Sequence, residues 1–255
     1  MAAMSTPLRS DYLAFAEQVR SAPDSEAAWA LLQNRLRALG FIHAKYGFVM
    51  AHPGVAEVPD ILYIGALCEE YEAAFPDPPG PAGDAVVAHG LVSDDPLTYA
   101  GLYGRAESGM LNPAQTENHL TAREIGMRNG VAFALPDATM LTRGGISLEA
   151  AREETPVEFH KRLMNFYPEL RLLVEMFHGS LQKSSLLDEA RHPSPRENEC
   201  LLWTSQGLRP QQIAHRLGTH PKTVDKQLQN ARKKLNAKTN AQAVARAIVL
   251  GLIRP

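Results

Sequence analysis

PSPRENECLLWTSQGLRPQQIAHRLGTHPKTVDKQLQNARKKLNAKTNAQAVARAIVLGLI, residues 193–253, reads as four short helices. Pro195 opens the first, Cys200, Leu201 and Trp203 make it apolar, and Gly207 ends it. Pro210 opens the second, in which Ile213, Ala214 and Leu217 face inward. Gly218-Thr219-His220 forms a three-residue turn, and Pro221 opens a third helix running to about Leu235. Asn240 is expected to cap a fourth helix, which Gly251 ends. Two helices joined by a short turn containing glycine are the helix-turn-helix pattern.

The third helix can be tested by angle. At about 100° per residue, Val224, Leu228, Ala231 and Leu235 fall on one stripe and form its buried side. The opposite side carries Lys222, Lys226, Gln229 and Lys233, flanked by Asp225 and Thr223. Cations suit phosphates, and amide or acid groups suit base edges, so these six are the candidate DNA-binding residues.

Charge supports a separate module. Residues 192–255 hold eleven basic and three acidic residues, a net of +8, and the remaining 15 basic and 25 acidic residues give −10. A basic segment on an acidic body points to a polyanion partner. At 255 residues and 45% hydrophobic composition, the chain has room for two domains with buried cores. No apolar run of about 18 residues is present, and the N-terminus lacks a secretory pattern. Cys68 and Cys200 are single and far apart, so neither a disulfide framework nor a metal spacing arises. A cytoplasmic location and no membrane partner are therefore expected.

Working toward the N-terminus, residues 182–194 are polar and aperiodic, and a linker is placed at 182–193 between a first domain, 1–181, and a second, 194–255. Within the first domain, helices are expected at about 8–20, 24–39 (capped by Asp24), 67–75 and 114–127. Strands are expected at 41–50, 61–64, 131–135 and 145–150. Thr155-Pro156-Val157-Glu158 is a capping box opening a further helix, which Pro168 should kink or restart. Its apolar stripe suits either core packing or a dimer interface. The elements do not alternate strictly, so the fold class is α+β. A helix-covered mixed or antiparallel sheet forms an α/β/α sandwich, followed by an all-α four-helix domain.

With these residues in view, the C-terminal 60 residues resemble the LuxR-type helix-turn-helix domain. Glu197, Leu201 and Gly207 meet one part of that family's pattern, Ile213-Ala214, Leu217, Thr223-Val224 and Lys234-Leu235 a second, and the closing QAVARA and GLI a third. Asp225 stands where a basic residue is frequent, Gln227 where a His is frequent, and His220 where the helix cap is usually Ser. The resemblance implies a homodimer on double-stranded DNA with a near-palindromic operator.

Output domains of this type follow several kinds of sensor. No acidic-pair, Asp and Lys arrangement of a phosphorylated receiver occurs, whereas residues 10–180 resemble the autoinducer-binding domain in length and element order. That family's pocket has Trp, Tyr four later, Asp-Pro nine beyond, Trp fifteen after the Asp, and a later Gly. Registers on Asp95-Pro96 and Asp77-Pro78 leave aliphatic or thiol groups at the aromatic positions. The register on Asp84 gives Tyr71, Phe75, Asp84, Tyr99 and Gly130, with Ala85 in place of the proline. The resemblance implies a small-molecule signal such as an N-acyl homoserine lactone as ligand, with no other cofactor and no metal. Asp84 would accept an amide N–H and Tyr71 would donate, but Phe75 cannot. Two other functions compete. An enzyme is disfavoured, because the histidines are scattered and no catalytic motif is present. A regulator acting by heterodimerisation without ligand remains compatible with the altered pocket.

Overall fold

The structure is a computed structural model, and it describes residues 9–49, 61–77, 79–136, 143–181 and 192–255. Two compact units divide the chain after Leu181. Of the expected linker, residues 182–191 lie outside the described residues.

In the first unit, α1 (Arg9–Arg20) and α2 (Ser25–Ala38) precede β1 (Phe41–Val49) and β2 (Ile61–Ala66). Asp24 caps α2, its side chain accepting from the Ala27 N–H at 2.8 Å. Next come α3 (Glu69–Ala74), α4 (Ala85–Val92), the two-residue β3 (Leu97–Thr98), α5 (Tyr99–Glu107) and α6 (Pro113–Glu124). β4 (Gly130–Pro136), β5 (Arg143–Ala150) and α7 (Pro156–Ser180) complete the unit. The sheet is five-stranded, ordered β2-β1-β5-β4-β3, and every pairing is antiparallel. Of the two arrangements compatible with the sequence, the antiparallel one is therefore present. Neither α4 nor α5 is expected from the sequence as a helix, nor β3 as a strand; YAGLYGRAE of α5 carries two glycines and no clear stripe. A further departure is at Pro168. The helix opened by the Thr155 capping box continues through it to Ser180, because this proline lies on the solvent side, where water can replace the lost N–H donor.

Alternation on β1 creates two unlike faces. Ala44, Tyr46 and Phe48 are buried toward α2 and α7, where the Phe177 ring lies 5.3 Å from Tyr46 and 5.5 Å from Trp29. Lys45, Gly47 and Val49 turn to the other face, which is covered by α3 to α6.

The second unit contains α8 (Pro195–Ser205), α9 (Pro210–Arg216), α10 (Pro221–Lys234) and α11 (Asn240–Val249). Ser194 and Glu197 form a capping box on α8. Gly218, at φ +60°, makes the turn between α9 and α10. The cap of α11 is Thr239 rather than Asn240, because it is the Thr239 hydroxyl that accepts the Gln242 N–H. Leu201, Ile213, Val224, Leu228, Ala231, Ala243 and Ala247 form the core.

Candidate functional site

The second face of the sheet does not close against its helices. A cavity of about 110 Å³ lies there, large enough for a small organic molecule rather than one water. Strand register orders its floor into three rows. Lys45, Ser147 and Ala132 form the first, Tyr63, Gly47, Gly145 and Ala134 the second, and Ile61, Val49 and Arg143 the third. The middle row is low because two of its members lack a side chain. A Cβ on Gly145 would find only the Phe133 carbonyl, at 3.6 Å. The opposite wall comes from α3 and α4 and the residues that lead into them, through Leu67, Tyr71, Asp84, Val86 and Val87.

Asp84 is fixed from below and above. Its Oδ1 accepts the N–H groups of Val86 at 2.8 Å and Val87 at 3.4 Å, capping α4. The first N–H of that helix, on Ala85, donates instead to His119 Nε2 at 3.0 Å. These bonds all fall on Oδ1 or on His119, so Asp84 Oδ2 is left without a hydrogen bond among the described residues. Burial pushes the Asp84 carboxyl up to about 6, against the pull of the Val86 and Val87 amides and of Lys45. Burial likewise pushes His119 down to about 4.

Lys45 carries the one ammonium on the floor among the described residues, with its Nζ 2.8 and 2.9 Å from the Glu72 carboxylate and 5.1 Å from the Tyr63 ring centre. Tyr71 lines the cavity, and its hydroxyl lies 3.5 Å from Asn118 Oδ1. Phe75 stacks behind Tyr71 at 4.9 Å without lining the cavity. Tyr99 sits deeper, buried with Cys68, Tyr103 and Met127. Gly130 lies directly under the Tyr99 ring, where an added Cβ would come within 2.4 Å of it. Of the five residues expected at the pocket, Tyr71 and Asp84 therefore border the cavity, while Phe75, Tyr99 and Gly130 form the layer behind it. Lys45, Tyr63, Arg143 and Ser147 border it without having been singled out from sequence. The signal for Lys45 was present: a lysine and a glycine alternating with buried aromatics mark a strand face that meets something other than packed core.

On α10, Lys222, Thr223, Asp225, Lys226, Gln229 and Lys233 are all exposed, while Val224, Leu228 and Ala231 are buried. His220 caps the helix, its Nδ1 accepting the Lys222 N–H at 3.2 Å. Lys234, next to Lys233, turns inward and meets the buried Glu197 carboxylate at 3.0 Å. Arg216 of α9 covers the Trp203 ring of α8 at 4.3 Å. The result is a helix with one packed side and one open, cationic side.

Both cysteines are buried and free. Among the described residues, no cluster of metal-ligating side chains occurs, and no helix is long and apolar enough to cross a membrane.

Similarity to known proteins divides the chain in the same way. Residues 24–181 match the autoinducer binding domain, and residues 194–247 match bacterial regulatory proteins of the luxR family. The transcriptional activator AnoR of Acinetobacter nosocomialis is 23% identical over 236 residues, covering 90% of this chain and 93% of the relative. Among solved structures, SdiA in complex with octanoyl-rac-glycerol superposes with a TM-score of 0.56 at 20% identity, covering 98% of each chain. The N-acylhomoserine lactone dependent factor CepR2 from Burkholderia cenocepacia gives 0.50 at 20% identity, covering 68% of this chain and 96% of that one.

Proposed function

This chain belongs to the LuxR family of bacterial transcriptional regulators, with an autoinducer-binding domain ahead of a DNA-binding helix-turn-helix domain, and from that membership we propose that its signal is an N-acyl homoserine lactone or a close relative. The signal would bind in the cavity above the sheet. Asp84 carries the reading. It is a largely buried carboxylate whose bonded oxygen is spent on the α4 cap and whose second oxygen has no hydrogen bond among the described residues, at the edge of a cavity with apolar walls. An acceptor oxygen open only to such a cavity favours a ligand that brings an N–H.

The carbonyls of such a ligand need donors. Tyr71 keeps one, and the loss of a hydroxyl at Phe75 is offset by the Lys45, Tyr63 and Ser147 donors on the floor. The two structural relatives support an acyl-bearing ligand by what they hold or depend on, octanoyl-rac-glycerol in one and N-acylhomoserine lactone in the other.

For the output, we assign Lys222, Lys226 and Lys233 to phosphates and Thr223, Asp225 and Gln229 to base edges in a major groove. We further assign a cytoplasmic homodimer on a near-palindromic operator, its half-sites about one helical turn apart. Nothing in this reading calls for catalysis.

The test is a thermal shift of the full chain with homoserine lactones of short, medium and long acyl chains, repeated on Asp84→Asn. Asparagine still caps a helix, so the fold is kept while the charged acceptor is removed. A shift that fades in the variant supports the reading. No shift with any chain length overturns it in favour of a regulator that acts through protein contacts without a lactone.

A further inference from the structure

We infer, building on the reading of the cavity as a lactone-signal site, that the tail of the signal ends in a hydrogen-bond acceptor and that Arg143 receives it. Arg143 occupies the third row of the cavity floor, four residues along β5 from Ser147. At about 3.3 Å per residue, that places the two backbone positions roughly 13 Å apart. Between them the floor on β5 is Gly145, where an added Cβ would meet only the Phe133 carbonyl at 3.6 Å, while the Tyr63 and Ile61 side chains lie over the neighbouring Gly47, so the open path for an extended tail leaving the Asp84 end runs along β5 to the arginine.

The guanidinium is only partly used. Its Nη1 donates to the Gly90 carbonyl at 2.8 Å and to the Ser93 carbonyl at 3.4 Å, and its Nη2 to Asp94 Oδ1 at 2.9 Å. Arginine has five N–H donors, so Nε–H and one Nη2–H remain without an acceptor among the described residues. The side chain of Arg143 is 10% exposed and that of Asp94 58%, so the ion pair faces water on the acid's side and holds the arginine weakly. A terminal methyl set against a largely buried guanidinium leaves those donors unmet, whereas a terminal carbonyl, hydroxyl or carboxylate meets them. A carboxylate does so best, because it can accept from both nitrogens of the fork. Arg143 thereby becomes a specificity-determining residue that selects signals with a polar tail end.

The experiment uses two probes on the full chain, measured by titration calorimetry. One is N-octanoyl homoserine lactone, and the other is the analogue in which a carboxylate replaces the terminal methyl. The wild type should bind the carboxylate-tipped probe about tenfold more tightly, as expected for one added charged hydrogen bond. Arg143→Met should reverse that order. Since Arg143 also ties down the end of α4, this variant could lose its fold, and Asp94→Asn is the second arm. Freeing the guanidinium from its outer partner should tighten the carboxylate-tipped probe and leave the methyl-tipped one unchanged. Equal binding of the two probes by the wild type, a preference for the methyl tip, or a preference that survives Arg143→Met would overturn the inference and leave the lactone reading standing. Binding of neither probe would overturn that reading and the inference with it.

Discussion

His119 Nε2 lies 3.5 Å from Asp84 Oδ1, yet the two are not an ion pair. Nε2 accepts the Ala85 N–H and so carries no proton, and burial holds the imidazole at about 4. Both groups are acceptors that share the first three N–H donors of α4, which are otherwise orphaned. The helix that walls the cavity is therefore seated by two side chains of different titration behaviour.

Their linkage to stability has opposite signs. Asp84 is raised from 3.8 to about 6, so the folded state holds its proton more tightly, and stability falls as pH rises through that window. His119 is lowered from 6.5 to about 4, so the unfolded state binds the extra proton, and stability rises over nearly the same window. In denaturant unfolding between pH 4 and 6.5, Asp84→Asn should make the slope of stability against pH more positive than in the wild type, and His119→Phe should make it more negative. His119→Phe should also cost about 1–3 kcal/mol at pH 7, because the Ala85 N–H loses its acceptor. An unchanged pH profile in both variants would contradict the assignment.

Glu149 gives a second, independent pH signature. It is 1% exposed, and among the described residues neither carboxylate oxygen has a hydrogen bond of ordinary geometry. Burial pushes it up to about 7, only partly countered by the Arg152 charge and the pull of the Cys68 backbone N–H. The folded state thus favours the protonated form, and stability should drop as pH climbs from about 4.5 to 7. Glu149→Gln removes the charge at nearly constant volume. It should raise Tm at pH 8 and leave Tm at pH 4.5 almost unchanged, as read by calorimetry at both values.

Gly130 and Tyr99 make a steric prediction. Only a glycine leaves room for the ring, since an added Cβ would come within 2.4 Å of Tyr99 and 2.7 Å of the Leu148 carbonyl. Gly130→Ala should destabilise by about 2 kcal/mol or more through overpacking. Combined with Tyr99→Val, the loss should be less than the sum of the two single changes, the mark of residues in contact. Strict additivity in urea unfolding would show that the ring moves aside freely.

The helix-turn-helix unit was readable because its signals are local. Prolines start three helices, Gly207 and Gly218 take positive φ where they end, and the Val224–Leu228–Ala231–Leu235 stripe repeats at helical spacing. Much of the sensor was readable for the same reason, through the Asp24 and Thr155 caps and the alternation on β1. The cavity was less so, because it is made by register. Lys45, Tyr63, Ser147 and Arg143 come from three strands and meet only once those strands are aligned, and no spacing along the chain encodes that. Tyr71, Phe75 and Asp84 lie close in sequence and could be found by motif. Which of them reaches the cavity depends on the turn of a six-residue helix, which aims Tyr71 inward and sets Phe75 behind it.

The last prediction separates two adjacent lysines. Lys233 is exposed on the open side of α10, whereas Lys234 reaches the Glu197 carboxylate, which also accepts the Ser194 N–H and so holds the start of α8. Lys233→Ala should leave urea unfolding within about 0.5 kcal/mol of wild type. If it touches phosphate, it should weaken binding to all DNA sequences alike and lower the salt slope by about one. Lys234→Met should do the reverse. It strands a buried carboxylate and should cost about 1–2 kcal/mol of stability, the partial exposure of the lysine keeping the loss below that of a fully buried pair. Gln229→Ala provides the third pattern, a relaxed preference at one base pair with the salt slope intact. Fluorescence anisotropy across a salt series, paired with urea unfolding of the same variants, distinguishes all three. If Lys234→Met alone impaired DNA binding while Lys233→Ala and Gln229→Ala did nothing, the open side of α10 would not be the side that meets DNA.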